Sequence, residues 1–245
     1  MKSLILASGF GTRLYPLTMS QPKGLIQYKG KPIINHIVDK IPEDVEILVN
    51  TNKKFEPVFR LWQDSLERNV TLCVEPVLNE TQSFGAVGSL AYWAKDINDD
   101  LLVLACDNYF GFDMSAFISA YDENNTLVAV CDVGDRNKAC QFGVVQIECD
   151  RITALEEKPL KPKSGLVATA CYLFPPRVFN FICEFAFENG SANLGSLIAH
   201  LVNKDKVFAY VFSNLWFDIG TPDCLSQLVE SGEANLPGSN LSSSR

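Results

Sequence analysis

The sequence predicts a doubly wound, Rossmann-like α/β fold in one domain, with a mostly parallel but mixed sheet. The first observation is a series of nearly continuous apolar runs of strand length, at 3–7, 45–50, 70–74, 101–106 and 126–131. The second is the helical spacing of the stretches between them, at 33–41, 55–68, 86–95 and 114–121. Apolar strands that alternate with helices are typical of a parallel sheet that is covered on both faces.

The second half of the chain has a different pattern. Strands are predicted at 142–147, 151–155, 165–174 and 206–212, and helices at 176–187 and 194–202. This pattern predicts a mixed extension of the sheet within the same domain, which we place at residues 1–232. Residues 233–245 are polar and rich in Gly and Ser, so we expect a disordered tail there.

Composition limits the partners and the compartment. The 245 residues carry a net charge of −8, which disfavours nucleic acid as the main partner because phosphate backbones select basic surfaces. The apolar stretch at the amino terminus is too short for a signal peptide or a membrane span. The eight cysteines include no C-x-x-C pair. We therefore expect a cytoplasmic protein with reduced, structural thiols and no membrane partner.

A glycine turn follows the first predicted strand, where ligands bind in such sheets. Gly9 and Gly11 stand one residue apart, and Arg13 and Lys23 follow them. Glycines let backbone N–H groups approach an anion, and two nearby cations can neutralise a polyphosphate. The segment therefore predicts a site for a nucleoside triphosphate, with an ordinary glycine turn beside surface cations as the alternative.

Two common phosphate-binding patterns do not fit this turn. A dinucleotide fingerprint requires a third glycine where the chain has Leu14, which argues against an NAD-dependent oxidoreductase. A P-loop requires Gly-Lys-Ser/Thr, whereas Thr-Arg-Leu follows Gly11.

Two aspartates are candidate metal ligands. Asp107 follows the predicted strand 101–106, and Asp218 lies in the segment WFDIGTPD. Magnesium takes one or two carboxylates together with phosphate oxygens. Aspartate is also favoured in turns and at helix starts. The spacing alone therefore leaves open whether these aspartates bind a metal or have only a structural role.

The opening segment resembles the signature of the sugar nucleotidyltransferases, the sugar-1-phosphate pyrophosphorylases. Their motif runs Leu-Ala-Gly/Ala-Gly-x-Gly-Thr-Arg-Leu-x-Pro-Leu-Thr and then Pro-Lys-x-Leu, and Ser8 is a mild departure from it. The resemblance spans residues 1 to about 230 and implies a nucleotidyltransferase fold. It implies that Arg13 holds the triphosphate and that Lys23 bridges the two reacting phosphates. The nucleotide-binding residues that it implies in this segment are Leu6, Ala7, Gly9, Gly11 and Thr12.

The same resemblance implies a role for both aspartates. The family has Gly-Asp-Asn where this chain has Cys106-Asp107-Asn108, and Trp-x-Asp-x-Gly-Thr at residues 216–221. Asp107 and Asp218 are thereby implied to hold one Mg²⁺, the expected cofactor. Because Cys106 is larger than glycine, we expect it to narrow the site.

A sugar-phosphate site is implied by three further matches. Glu157 and Lys158 stand in a Glu-Lys-Pro motif whose Glu binds sugar hydroxyls and whose Lys binds the sugar phosphate, although EKP alone is typical of an exposed charged turn. Gly143 matches a glycine whose backbone lies against the sugar. Thr169 matches a strand of the sugar site, in which Ala170 replaces the usual glycine.

The residues that would read the base are less well defined. Gly85 lies in the segment FGAVGSL, residues 84–90, which resembles a helix start at which the base approaches the backbone. Glu75 lies in the region where thymidylyltransferases carry a Gln that recognises the base. Gln82 is the second candidate for recognising the base. A surface glutamate is the alternative for Glu75.

The implied reaction joins a nucleoside triphosphate and a sugar 1-phosphate and releases pyrophosphate. A hexose 1-phosphate with dTTP or UTP is favoured, and GTP stays open. The alternatives are a non-catalytic nucleotide-sugar-binding regulatory homologue and a cytidylyltransferase that acts on a non-sugar phosphate. The substrates are the expected partners, and a homo-oligomer is left open.

Overall fold

The computed structural model describes residues 1–190, 192–220, 224–226 and 228, and the backbone of residues 234–235. Its strands are β1 (Lys2–Leu6), β2 (Gln27–Tyr28), β3 (Lys31–Pro32), β4 (Glu46–Asn52), β5 (Thr71–Glu75), β6 (Leu101–Ala105), β7 (Asn108–Phe110), β8 (Thr126–Asp132), β9 (Gly143–Glu148), β10 (Arg151–Glu157), β11 (Leu166–Phe174), β12 (Val207–Phe212), β13 (Trp216–Asp218) and β14 (Ala234–Asn235). Its α-helices are α1 (Ile33–Val38), α2 (Glu56–Asp64), α3 (Gly85–Ala94), α4 (Met114–Ser119), α5 (Arg136–Ala139), α6 (Phe179–Asn189) and α7 (Leu194–Val202).

The main sheet is mixed, as predicted, and its strand order is β5-β4-β1-β6-β11-β8-β12-β10-β9. Strands β5, β4, β1 and β6 are parallel neighbours, and so are β8 and β12. Strand β11 runs antiparallel between β6 and β8, and β10 runs antiparallel to β9 and β12. Seven strands of this sheet therefore run in one direction and only β10 and β11 run in the other, which agrees with the predicted sheet, mostly parallel with a mixed extension in the second half.

Helices cover both faces of the sheet. Successive side chains of β1 point to opposite faces, so Ile5 packs into one apolar cluster and Leu4 into the other. The first cluster includes residues of α1, α2 and α4, and the second includes residues of α3, α6 and α7. Burial of both clusters supplies the main stabilisation of the fold and confirms the doubly wound arrangement.

Short elements surround the carboxyl edge of the parallel strands. Strands β7 and β13 pair with each other, and β2 pairs with β3 and β14. None of these five strands was predicted, because two or three residues are too few to show a period. Strand β14 falls in the predicted tail, whereas residues 236–245 lie outside the described residues, so the boundary at 232 stays a prediction.

None of the helices in the described residues is long and apolar enough to cross a lipid bilayer.

Candidate active site

The glycine turn lies just beyond β1. Gly11 has a φ of +66°, and a Cβ there would stand 3.0 Å from Thr18 Cγ2 and 3.1 Å from Lys23 Cγ. The Thr18 hydroxyl donates a hydrogen bond of 2.6 Å to the Gly11 carbonyl and fixes the turn. A residue with a side chain would be both strained and crowded at position 11. The turn thus keeps its backbone open to an anion.

Lys23 is positioned by a short turn that packs against the end of β6. A Cβ on Gly24 would lie 3.1 Å from the Cys106 thiol sulfur, so the absence of a side chain allows this close packing. The Lys23 ammonium then reaches Asp107 Oδ2 at 3.2 Å. Cys106 is buried against Gly24 in the core and does not line the cavity described below, so a narrowing of the site by Cys106 stays a prediction.

Asp107 and Asp218 are brought together by the pairing of β7 with β13. The register places Asp218 opposite Asn108, and the Ile219 N–H donates to the Asp107 carbonyl at 2.9 Å. The Gly220 N–H donates to Asp218 Oδ1 at 2.5 Å. Residues that are far apart in the chain therefore form one acidic pair beside Lys23.

The acidic pair has the electrostatics of a cation site. Burial raises the pKa of Asp218 to about 6, and the charge of Asp107 adds to this effect. The Gly220 hydrogen bond and the charges of Lys23 and Arg13 act in the opposite direction. Two oxygen-donor side chains fit Mg²⁺ that takes its remaining ligands from phosphate and water. The described residues hold no cluster of three or more His, Cys, Asp or Glu that could bind a metal without the substrate.

A cavity of about 550 Å³ opens beside this pair. Five of the residues predicted to bind substrates or metal line it: Arg13, Gly143, Glu157, Lys158 and Asp218. The structure therefore brings Arg13, one member of the acidic pair and the EKP segment together in one cavity, with Asp107 beside it.

Glu157 lies in that cavity between two glycines. It pairs with Gly143, where a Cβ would stand 3.1 Å from Glu157 Oε2. A Cβ on Gly195, at the start of α7, would lie well inside contact distance of the same oxygen. Asn193 Nδ2 donates to Glu157 Oε1 at 3.4 Å. Burial raises the pKa of Glu157, and the charge of Lys158 lowers it.

The structure corrects the assignment of Thr169 to the sugar-phosphate site. Its side chain is fully buried, and its hydroxyl donates to the Ala129 carbonyl at 2.8 Å. Ala168 and Ala170 line the cavity instead, because neighbouring side chains of a strand point to opposite faces.

The predicted nucleotide-binding residues differ in their surroundings. Gly85 has a φ of +70° at the start of α3, and Gln82 Oε1 accepts from the Leu78 N–H at 3.0 Å. Glu75 is only 1% exposed and accepts from Asn50 Nδ2 at 2.7 Å, so the surface-glutamate alternative is wrong. Neither Glu75, Gln82 nor Gly85 lines the cavity.

The first part of the predicted nucleotide segment lies close to the core. Leu6 and Ala7 are buried, and only their backbone is suited to meet a ligand. Thr12 donates its hydroxyl to Glu80 Oε1 at 3.0 Å, and Gly9 is exposed with open space around it.

Sequence reasoning missed several residues that line the cavity: Lys138, Gln141, Tyr172, Asn193 and Gly195. Lys138 lies in α5, a helix of four residues that has no periodic signal. Asn193 could have been found as a helix start, since its side chain accepts from the Ser196 N–H at 2.8 Å.

A parallel sheet edge with a glycine turn, two cations and two carboxylates defines an α/β protein that binds nucleotide phosphates. The chain belongs to the nucleotidyl transferase family, whose model matches residues 2–234. The resemblance seen in the sequence is thereby confirmed.

Two curated relatives illustrate the similarity. The bifunctional protein GlmU of Methanocaldococcus jannaschii is 30% identical over 91% of this chain and 52% of its own length. The UTP–glucose-1-phosphate uridylyltransferase AglF of Haloferax volcanii is 27% identical over 91% of this chain and 93% of its own. The chain thus spans about half the length of the GlmU relatives that it matches.

Solved structures show the same fold. A Bacillus anthracis protein provisionally named a glucose-1-phosphate thymidylyltransferase is 25% identical, with a TM-score of 0.82 over 100% of this chain and 98% of that one. A UDP-glucose pyrophosphorylase complexed with UDP-glucose is 18% identical, with a TM-score of 0.75 over 94% of this chain and 97% of that one.

Proposed function

We propose that the chain transfers a nucleotidyl group from a nucleoside triphosphate to a sugar 1-phosphate in a Mg²⁺-dependent reaction. The observation that carries this proposal is the convergence of Arg13 and Asp218 with Glu157 and Lys158 in one cavity, with Lys23 bound to Asp107 beside it. One end of this arrangement suits a triphosphate, and the other suits a sugar with a phosphate.

The reaction needs charge neutralisation more than proton transfer. A phosphate oxygen of the sugar 1-phosphate attacks the α-phosphorus, a new P–O bond forms, and the bond to pyrophosphate breaks. Because the attacking phosphate is already ionised near neutral pH, no general base is required. Lys23 and Arg13 bring the two anions together, and positioning of this kind supplies most of the expected rate.

Each charged side chain then has one role in the proposal. Arg13 holds the triphosphate and its leaving pyrophosphate, Lys23 bridges the reacting phosphates, and Lys158 binds the sugar phosphate. Glu157 accepts hydrogen bonds from sugar hydroxyls. Asp107 and Asp218 would hold Mg²⁺, which when bound neutralises charge on the triphosphate.

The names of the relatives support a hexose 1-phosphate and a pyrimidine nucleotide. AglF is named for UTP and glucose 1-phosphate, and the Bacillus anthracis protein for glucose 1-phosphate and a thymidylyl group. We propose dTTP or UTP as the donor, with GTP as the third candidate. We also propose that residues 1–232 act as one Rossmann-like catalytic domain in the cytoplasm, either alone or as a homo-oligomer.

A matrix of pyrophosphate release tests the reaction. The purified chain is mixed with Mg²⁺ and each of dTTP, UTP, GTP, CTP and ATP against common sugar 1-phosphates, with choline phosphate and polyol phosphates as further acceptors. We expect release with a hexose 1-phosphate and dTTP or UTP, and none when Mg²⁺ is chelated.

The same matrix separates the alternatives. Release from CTP with only a non-sugar phosphate would identify the cytidylyltransferase. Binding of a nucleotide-sugar without any release of pyrophosphate would identify the regulatory homologue. Either result would overturn the proposed function.

A further inference from the structure

A buried polar network lies directly beneath the glycine turn, and the proposed reaction does not use it. It connects Ser8, which follows β1, with Asn50 of β4, Glu75 of β5 and Ser89 of α3. All four side chains are at most 9% exposed. Buried polar groups of this kind are retained only when their hydrogen bonds are made, so the arrangement of donors and acceptors can be worked out.

The orientation of Asn50 follows from a backbone donor. The Ala7 N–H donates to Asn50 Oδ1 at 2.6 Å, and an N–H group can only be met by the amide oxygen. Asn50 Nδ2 therefore points the other way and donates to Glu75 Oε1 at 2.7 Å and Ser8 Oγ at 3.2 Å. Both hydrogens of the amide are used. Without the Glu75 acceptor, one of them would lose its partner.

Ser8 is held from three sides. Its hydroxyl accepts from Asn50 and lies 3.0 Å from the hydroxyl of Ser89, and its carbonyl accepts from Asn52 Nδ2 at 2.8 Å. Ser8 is the residue immediately before Gly9. The sugar nucleotidyltransferase motif usually has Gly or Ala at this position, so the hydroxyl contacts are a feature of this chain.

The surroundings of Glu75 disfavour the charged form of its carboxyl group. Among the described residues, no lysine, arginine or histidine forms an ion pair with it. Burial raises its pKa, and the hydrogen bonds from Ser89, Asn50 and Ser8 only partly oppose this effect. In its protonated form, the carboxyl group keeps one oxygen as an acceptor for Asn50 and can donate from the other.

We propose that Glu75 is a positioning residue that acts through Asn50 and Ser8 to hold the glycine turn in the conformation that binds the triphosphate. Glu75 does not touch the nucleotide in this proposal, which differs from a role as base reader. The inference rests on the proposed function. Loss of the Glu75 carboxyl group should weaken binding of the nucleoside triphosphate and leave binding of the sugar 1-phosphate unchanged.

The test compares Glu75→Leu, Glu75→Gln and a control, Ser3→Ala, in steady-state kinetics with the best substrate pair. Ser3 is buried at the opposite end of β1 and donates to the Glu46 carbonyl, so its loss tests for mere destabilisation. We expect Glu75→Leu to raise the KM for the nucleoside triphosphate about tenfold and to leave the KM for the sugar phosphate within about twofold. Gln offers both an acceptor and a donor, so it should restore the KM.

Three results would overturn the inference. These are an unchanged nucleotide KM in Glu75→Leu, an equal rise in both KM values, and a Gln variant as defective as the Leu variant, which would indicate direct contact with the base. If Glu75→Leu does not fold, Ser8→Ala should still raise the nucleotide KM by roughly threefold, and an unchanged value would refute the proposal.

Failure of the proposed function gives a different result. In that case the natural chain releases no pyrophosphate with any substrate pair. The inference is then tested by equilibrium binding of Mg²⁺–UTP and Mg²⁺–dTTP, in which Glu75→Leu should bind about tenfold more weakly than the natural chain and Glu75→Gln should not.

Discussion

At the scale of single residues, close packing fixes the positions of the charged side chains in and beside the cavity. Lys23 reaches Asp107 because Gly24 can pack against Cys106. Glu157 occupies the space that a side chain on Gly195 would fill. The glycines at these places are therefore as important for the chemistry as the charged residues, since each one makes room for a functional group.

The first prediction concerns Lys23 and Asp107. Lys23→Ala or Asp107→Asn should lower kcat/KM at least about a hundredfold, because each removes a charge that neutralises the reacting phosphates. Both variants should stay folded, which circular dichroism can check. Lys2→Ala is the control, since Lys2 pairs with Glu46 at the far end of β1. Turnover like that of the natural chain would contradict the assigned roles.

The second prediction concerns Gly195. Gly195→Ala should raise the KM for the sugar 1-phosphate about tenfold, because the new methyl group displaces the Glu157 carboxylate. The KM for the nucleoside triphosphate should not change. Ser196→Ala, on the same turn of α7, is the matched control. Equal KM values for Gly195→Ala and the control would show that Glu157 does not bind the sugar.

At the scale of elements, the short strands β7 and β13 bring the two proposed metal ligands together. Their pairing places Asp218 beside Asp107, and Trp216 Nε1 reinforces it by donating to the buried Asn108 Oδ1 at 2.9 Å. The Trp216 ring also packs against Phe142, whose neighbour Gly143 faces Glu157. The two-stranded sheet thus links the acidic pair to the end of the cavity that contains Glu157.

The third prediction follows from this link. Trp216→Phe keeps a ring against Phe142 but leaves the buried Asn108 oxygen without its donor, so it should lower the free energy of unfolding by about 1–3 kcal/mol. Because β13 carries Asp218, the Mg²⁺ concentration for half-maximal activity should rise as well. Urea unfolding and a Mg²⁺ titration check the two effects. An unchanged Mg²⁺ requirement would show that the position of β13 does not affect metal binding.

At the scale of the whole molecule, the parallel half of the sheet carries the proposed nucleotide end of the site and the mixed half carries the proposed sugar end. Strands β5, β4 and β1 end beside the glycine turn, and the antiparallel strands β9, β10 and β11 supply the wall around Glu157. The buried network of Glu75 and Asn50 joins β4 and β5 to the residues that follow β1, so we expect it to contribute to the stability of the fold.

The fourth prediction is a pH dependence of that stability. Burial raises the pKa of folded Glu75 above its unfolded value, so the stability that depends on its proton is complete at acid pH and is lost as pH rises through the folded pKa. Glu75→Gln has no such group. Its free energy of unfolding should exceed that of the natural chain by an amount that grows as pH rises above the ordinary pKa of a glutamate and becomes constant above the folded pKa. A difference that is independent of pH would show that Glu75 is ionised in the fold.

The sequence by itself determined the elements and the chemical groups of this protein. Long apolar runs and helical spacing indicated the main strands and helices, because these patterns are local and repeat over many residues. The motifs around Arg13, Asp107 and Glu157 indicated a nucleotidyltransferase through their resemblance to that family, because such motifs are short and local in the chain.

Only the tertiary structure decided how these groups meet. The antiparallel course of β11, the pairing that joins Asp107 to Asp218, and the burial of Thr169 all depend on contacts between distant segments. Glu75 illustrates the same point, since its sequence position suggests a base reader and its burial beneath Ser8 indicates a support. The sequence specifies which side chains are present, whereas the packing of the whole sheet sets the direction in which each side chain points.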